Sequence, residues 1–409
     1  MRLRLWLQNI KDYGLNISAF GLYIVMQQLV ILPLLSKVSN DSDFSEIVFF
    51  ISIFNIMCIV FGEELGNTRI VRSNVYKRNN LNGDYHVILL TVIVFISSIS
   101  LIGNYYIGVM WLDIILYVTI IAFGIVRYFS MAYFKLNQRF HHILFMNLSY
   151  GVGAIIGLYF VTIYDFYLAP FLFGEIVSGI YVLYTVLNNK VQQLTLAVTT
   201  EFQHTMTTYA QLGGVSIIIN AIAYLDRIII YPMLGATAMV VYFSASAMSK
   251  MISLVINPIS GVILARLTRV GKDKGEEILS GLVKYLFPSL LLFSIGSITV
   301  SYFGVKIFYS NYFSDAIVLI IPIGFATALS LVSFLLKPFL VTYYQTKGIL
   351  MIHVLYAIVF CFSMYFFSAW WGIIGFAWAN VLARLTQLGL YFFMVFAGKS
   401  REEVEVASV

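Results

Sequence analysis

The sequence predicts an all-α integral membrane protein of about twelve transmembrane helices in two six-helix bundles, residues 1–200 and 201–409, related by a parallel internal repeat. Three observations carry this. Charged residues are 11% and hydrophobic residues 60% of the 409, with a mean hydropathy of +0.90, whereas a soluble domain carries about 25% charge. Apolar runs such as IVFFISIFNIMCIVF and VILLTVIVFISSISLI are continuous, which suits membrane helices and not the alternating strands of a barrel. Finally, Lys and Arg segregate by loop: Arg2 to Lys11, Arg69 to Arg78, Lys135, Arg139, Lys190, Arg266 to Lys274, Lys337, Lys347 and the C-terminal tail fall on one side, Lys37 and Lys306 on the other. By the positive-inside rule both termini are cytoplasmic.

The first spans are expected near 13–35, 43–66, 85–103, 109–130, 142–164 and 167–187, from apolar stretches bounded by turn and charge signals. Tyr13, Asn16, Tyr23 and Gln27 share a face of the first, and Ser45, Ser52 and Asn55 a face of the second. Gly153 and Gly157 form a GxxxG in the fifth, which reads as close helix packing. In the sixth, Glu175 lies beside Gly174 and Gly179, at a depth where a carboxyl must be paired, hydrated or protonated. It is either a proton-coupling group or half of a structural pair with a Lys or Arg of another helix. Arg127, Lys284, Glu63 and Glu64 fall close to the cytoplasmic ends of their spans and are expected to snorkel.

The second six are expected near 208–231, 236–262, 278–300, 314–336, 349–369 and 372–396. On the seventh, Tyr209, Gly213, Ser216, Asn220, Tyr224, Arg227 and Tyr231 fall in one arc at three- and four-residue steps. Asp226 lies about 100° further round and is expected to face a neighbouring helix. Tyr242, Ser246, Ser249, Lys250, Ser253 and Asn257 share a face of the eighth span, and Asn380, Arg384, Gln387 and Tyr391 one of the twelfth. A lone cation at mid-bilayer costs about 2.5–3.5 kcal/mol, so Arg227, Lys250 and Arg384 are expected to face a polar interior. For a single Ser or Asn, a hydrogen bond between packed helices is the better reading. A shift of 199 positions superposes Pro33 on Pro232, Phe44 on Phe243, Ser45 on Ser244 and Gly62 on Gly261, the repeat signal.

Several chemistries are absent from the sequence. The Gly398–Ser400 triplet has Phe393 where a phosphate loop needs its first glycine. The five histidines lack metal-ligand spacing, so no metal or cofactor is expected, and no GxSxG or catalytic carboxylate pair stands out. Cys58 and Cys361 fall in apolar spans as packing residues. The net charge of +6 is scattered through short loops, not gathered on a nucleic-acid module. The N-terminus lacks a cleavable-signal pattern and reads as an interfacial lead-in.

The segment NAIAYLDRIIIYPMLGATAMVVYFSASAM, from Asn220 to Met248, together with ILPLLSKVSNDSDFSEIVFFISIFNIM and the loops FKLNQRFHH and YYQTKGI, resembles the polysaccharide flippases of the multidrug, oligosaccharidyl-lipid and polysaccharide exporter superfamily, in particular O-antigen repeat-unit flippases. The resemblance implies a V of two bundles around a central cavity lined in part by spans 1, 2, 7 and 8. It implies a transporter, not an enzyme, of the bacterial inner membrane that moves an undecaprenyl-pyrophosphate-linked oligosaccharide from the cytoplasmic to the periplasmic leaflet by alternating access. Arg227, Lys250 and Arg384 are then expected to bind pyrophosphate and acidic sugar groups, with Asn220, Asn257 and Asn380 adding hydrogen bonds. Asp226 or Glu175 would couple the cycle to protons. Membrane lipid, a coupling ion (H+ or Na+) and the polysaccharide polymerase machinery are the further partners. The rivals are a multidrug antiporter of the same superfamily, a membrane glycosyltransferase such as an O-antigen polymerase or ligase, and a lipid II flippase, which expects extra spans.

Overall fold

The computed structural model describes residues 21–72, 82–107, 111–137, 139–188, 198–252, 283–343 and 346–397, with 196, 260, 263, 267, 279 and 281. All of its regular elements among these residues are helical. The helices are α1 (Gly21–Val38), α2 (Asp41–Val71), α3 (Asn82–Ile107), α4 (Trp111–Leu136), α5 (Phe140–Tyr164), α6 (Ala169–Asn188), α7 (Phe202–Met251), α8 (Leu286–Phe308), α9 (Phe313–Tyr343) and α10 (Thr346–Ala397).

Ten helical stretches are long and apolar enough to cross a membrane. Two of them, α7 and α10, are each broken by a glycine with positive φ, Gly235 at 85° and Gly372 at 56°, a region that side-chain-bearing residues avoid. Gly235 falls between the seventh and eighth spans expected at 208–231 and 236–262. Large apolar side chains such as Leu292, Phe287, Phe362 and Trp370 stay exposed; in water they would form a costly patch, and in a bilayer they face lipid.

Two compact units are present, Met1–Ile228 and Ile229–Val409. The start of α7 therefore packs with the first unit, whereas the sequence expectation divided the chain at residue 200. The cause is a set of polar ties. Arg72, at the end of α2, donates to the Glu201 carboxylate and to the Thr205 hydroxyl, and Asp84 accepts from the Thr199 backbone N–H at 2.7 Å and its hydroxyl at 2.6 Å. Further along, the Tyr209 hydroxyl reaches the Phe61 carbonyl at 3.4 Å.

Within unit 1, α2 begins on a capped turn: the Asn40 side chain accepts from the Asp43 N–H at 2.8 Å, with Asp41 and Asp43 favourably placed at the positive helix end. Both α1 and α2 contain a wider turn, Met26–Ile31 and Cys58–Glu63, where backbone bonds skip five residues. Around Gly62 and Gly66, α2 comes against α4: a Cβ on Gly62 would lie 2.6 Å from the Ile125 carbonyl oxygen, and one on Gly66 2.7 Å from the Ala132 Cβ. In unit 2, Leu329, Val332, Leu336 and Leu340 of α9 pack with Val381 and Leu388 of α10. Tyr242 of α7 meets Phe376 edge-on at 5.1 Å, and Phe376 meets Phe360 at 5.9 Å.

Candidate binding and coupling residues

Midway along α7, Asp226 and Arg227 are both buried, at 4% and 6% exposure, between the apolar runs SIII and IIIY. The arc expected there is formed. Asn220 donates to the Ser216 carbonyl at 2.9 Å and to its hydroxyl at 3.0 Å, and the Arg227 guanidinium lies 5.5 Å from the Tyr224 ring centre. Asp226 turns its Oδ1 to the Arg227 backbone N–H at 3.0 Å.

Glu175 is one half of a buried ion pair. Arg127 Nε and Nη2 donate to its two carboxylate oxygens at 2.8 Å each, and both side chains are sealed from solvent. Arg127 Nη1 adds a bond to Asn147 Oδ1 at 3.3 Å. Rings of Tyr23, Tyr128 and Tyr150 surround the guanidinium at 4.3, 4.9 and 5.0 Å. The expectation that Arg127 snorkels is thereby corrected. It assumed that the fourth span ends near residue 130, but α4 runs to Leu136, which puts Arg127 about two and a half turns inside. The signal was present: the run YFSMAYF after Arg127 stays apolar. Lys135 does sit at the helix end, 3.6 Å from Glu63, with both side chains partly exposed.

In unit 2, Asn380 donates to the Tyr242 hydroxyl at 3.0 Å, while its own Oδ1 is buried with no partner among the described residues. Arg384 lies 4.6 Å from the centre of the Tyr356 ring and donates to Gln387 Oε1 at 3.0 Å. Lys250 is half-buried near the end of α7, and Asn257 lies outside the described residues. The serines of that face mostly bond back onto their own helix: Ser246 to the Phe243 carbonyl and Ser249 to the Ser246 carbonyl, with Thr327 of α9 reaching Ser249 at 3.2 Å. Of these, only the Thr327–Ser249 bond joins two helices, the kind of contact that the sequence reading favoured for a single serine. No cluster of three or more metal-ligating side chains occurs among the described residues.

The geometry thus gathers Asn220, Asp226 and Arg227 within unit 1, and Asn380 and Arg384 within unit 2. No family model matches the chain, and no curated protein matches its sequence. Solved structures do. A lipid II flippase, MurJ, in an inward closed conformation matches with a TM-score of 0.69 at 14% identity, over 95% of this chain and 87% of that one. A Vibrio cholerae MATE transporter, VcmN, matches at 0.63 with 12% identity, over 95% and 97%. An inward-facing multidrug resistance MATE family transporter of the MOP superfamily matches at 0.61 with 12% identity, over 94% of each chain. The chain is a multi-pass membrane protein with the fold these transporters share.

Proposed function

We propose that the protein is a flippase that moves an undecaprenyl-pyrophosphate-linked oligosaccharide from the cytoplasmic to the periplasmic leaflet of a bacterial inner membrane by alternating access. The observation that carries the reading is the buried pair Asp226–Arg227 midway along an apolar helix, with the half-buried Asn220 about two turns before it, in a fold shared with a lipid II flippase. Counting α7 and α10 as two spans each, divided at Gly235 and Gly372, would turn the ten apolar stretches among the described residues into the expected twelve. Each sugar hydroxyl drawn unpaired through hydrocarbon costs about 2–7 kcal/mol, and a bare phosphate more. A wet, cationic interior removes that barrier while the polyprenyl tail stays in lipid. Arg227, Lys250 and Arg384 hold the pyrophosphate and acidic sugars, and Asn220, Asn257 and Asn380 hold hydroxyls.

Replacing Arg227 by Ala, with protein level controlled, is expected to abolish surface polysaccharide; unchanged assembly would remove the binding role. In this reading Asp226 or Glu175 couples the cycle to protons. In liposomes with an imposed pH gradient, Asp226→Asn is expected to uncouple transport from the gradient. Wild-type transport indifferent to the gradient would eliminate proton coupling.

A second reading, a multidrug antiporter, is favoured by the MATE neighbours. Against it, the acidic Glu175 of unit 1 is already held by Arg127 on both oxygens, leaving less negative charge to attract a cationic drug. Drug susceptibility of a deletion strain separates the two: raised sensitivity with intact surface polysaccharide favours the antiporter.

A further inference from the structure

Among the described residues, the two units differ in the carboxylates they offer their cations. In unit 1, Arg127 meets Glu175, Arg72 meets Glu201 and Lys135 meets Glu63. In unit 2, the described carboxylate is Asp315, in the first turn of α9. Lys337 lies on the same helix 22 residues later, about 33 Å away at 1.5 Å per residue. Arg384 lies against neutral groups, the Tyr356 ring and Gln387. His353, on the first half of α10, has its Nε2 3.4 Å from the Tyr391 hydroxyl; Leu336, beside Lys337, packs in one core with Ile352, beside His353, and with Leu388 and Tyr391, which brings both Lys337 and Arg384 within electrostatic reach of the imidazole. Lys337, His353 and Arg384 are all half-buried, neither sealed in a dry core nor out in solvent.

A lysine and an arginine held inside apolar spans need a counter-charge, and no described carboxylate of unit 2 reaches them. We propose that Lys337, His353 and Arg384 form an anion subsite, complete within unit 2, that takes a phosphate-class group. The donor set decides the class. The arginine's planar fork, the lysine ammonium and the Tyr391 hydroxyl together offer more donors than the two oxygens of a carboxylate accept, and suit the several oxygens of a phosphate. Lys337 and His353 lie toward the side that the Lys and Arg distribution predicts to be cytoplasmic, where an anionic headgroup would first be captured, and Arg384 lies deeper, near the middle of its span. Identifying that headgroup as the lipid-linked pyrophosphate rests on the flippase reading; the subsite itself does not.

The test uses the full chain in nanodiscs of zwitterionic lipid, titrated with inorganic pyrophosphate at fixed ionic strength, and in a second arm nanodiscs containing undecaprenyl phosphate, read by native mass spectrometry. Lys337→Gln and Arg384→Gln are each expected to weaken binding at least tenfold, Arg384→Lys to weaken it less, and Lys284→Gln, at an exposed position, to leave it unchanged. Loss in the lipid arm identifies a lipid-borne phosphate, and loss in the pyrophosphate arm alone a soluble one; either supports the subsite. Wild-type binding by the Lys337→Gln/Arg384→Gln double variant in both arms would overturn it, as would an equal loss from Lys284→Gln. Coupling of Lys337→Gln with Glu276→Gln or Glu277→Gln in a cycle of melting temperatures would also overturn it, by supplying the counter-charge from within the chain. A protein that binds pyrophosphate through these residues yet flips no lipid-linked sugar would retire the flippase reading and keep the subsite.

Discussion

Glu175→Leu is expected to cost unit 1 about 3–5 kcal/mol, the usual penalty for removing one partner of a buried ion pair, and to leave little folded protein in the membrane. The reason is what stays behind. Arg127 is fully enclosed, a guanidinium does not give up its proton in proteins, and its remaining contacts are one bond to Asn147 and the faces of three tyrosines. Desolvated cation–π contacts are worth up to about 2 kcal/mol each, which softens the loss without replacing the two short bonds to the carboxylate. The damage spreads because the cluster draws on four helices: Tyr23 from α1, Arg127 and Tyr128 from α4, Asn147 and Tyr150 from α5, and Glu175 from α6.

The double change Arg127→Met/Glu175→Leu is expected to be milder than Glu175→Leu alone, since a buried pair can often be exchanged for apolar groups of similar volume at little cost. Thermal unfolding in detergent, as a double-mutant cycle, measures this directly. A coupling energy near zero would show that the pair is hydrated, and not the dry tie drawn here. The same double variant bears on coupling: if it folds and still transports in response to a pH gradient, Glu175 has no part in coupling, and Asp226 remains.

Apolar runs and basic loops made the helical membrane fold legible from sequence, because lipid imposes one rule on every residue of a span. The polar arc of α7 was legible for a related reason: Ser216, Asn220, Tyr224 and Arg227 keep helical spacing, and spacing alone fixes a face. Arg127 was misplaced because the expected span stops near residue 130, while the still-apolar run YFSMAYF carries α4 on to Leu136. Lys337 was read as a loop cation on the same ground, although α9 continues to Tyr343. The pairing of Arg127 with Glu175, 48 residues apart in sequence, is a tertiary fact that no local pattern encodes.

Gly157→Val is expected to separate α5 from α6 and to destabilise unit 1 beyond the roughly 1–3 kcal/mol typical of overpacking. A Cβ at Gly157 would stand 2.5 Å from both the carbonyl carbon of Ala169 and the Cα of Pro170, and one at Gly153 would stand 2.8 Å from the carbonyl carbon of Phe173. These are backbone atoms, so no rotamer change relieves the overlap. The GxxxG of the fifth span is thus the packing seam its spacing predicted, with small residues admitting the neighbouring backbone. The seam also sets the ion pair, because Glu175 follows Phe173 and Gly174 on α6, and Gly174 in turn accepts the Tyr150 ring, 2.7 Å from where its Cβ would stand. Forcing the helices apart at Gly157 therefore loosens the carboxylate that Arg127 needs. Gly214→Ala supplies the contrast: nothing lies within 4 Å of a Cβ there, and alanine is the better helix former by about 1 kcal/mol, so that variant should melt at or above the wild-type temperature. Equal melting temperatures for Gly157→Val and Gly214→Ala would mean that α5 and α6 do not meet at this seam.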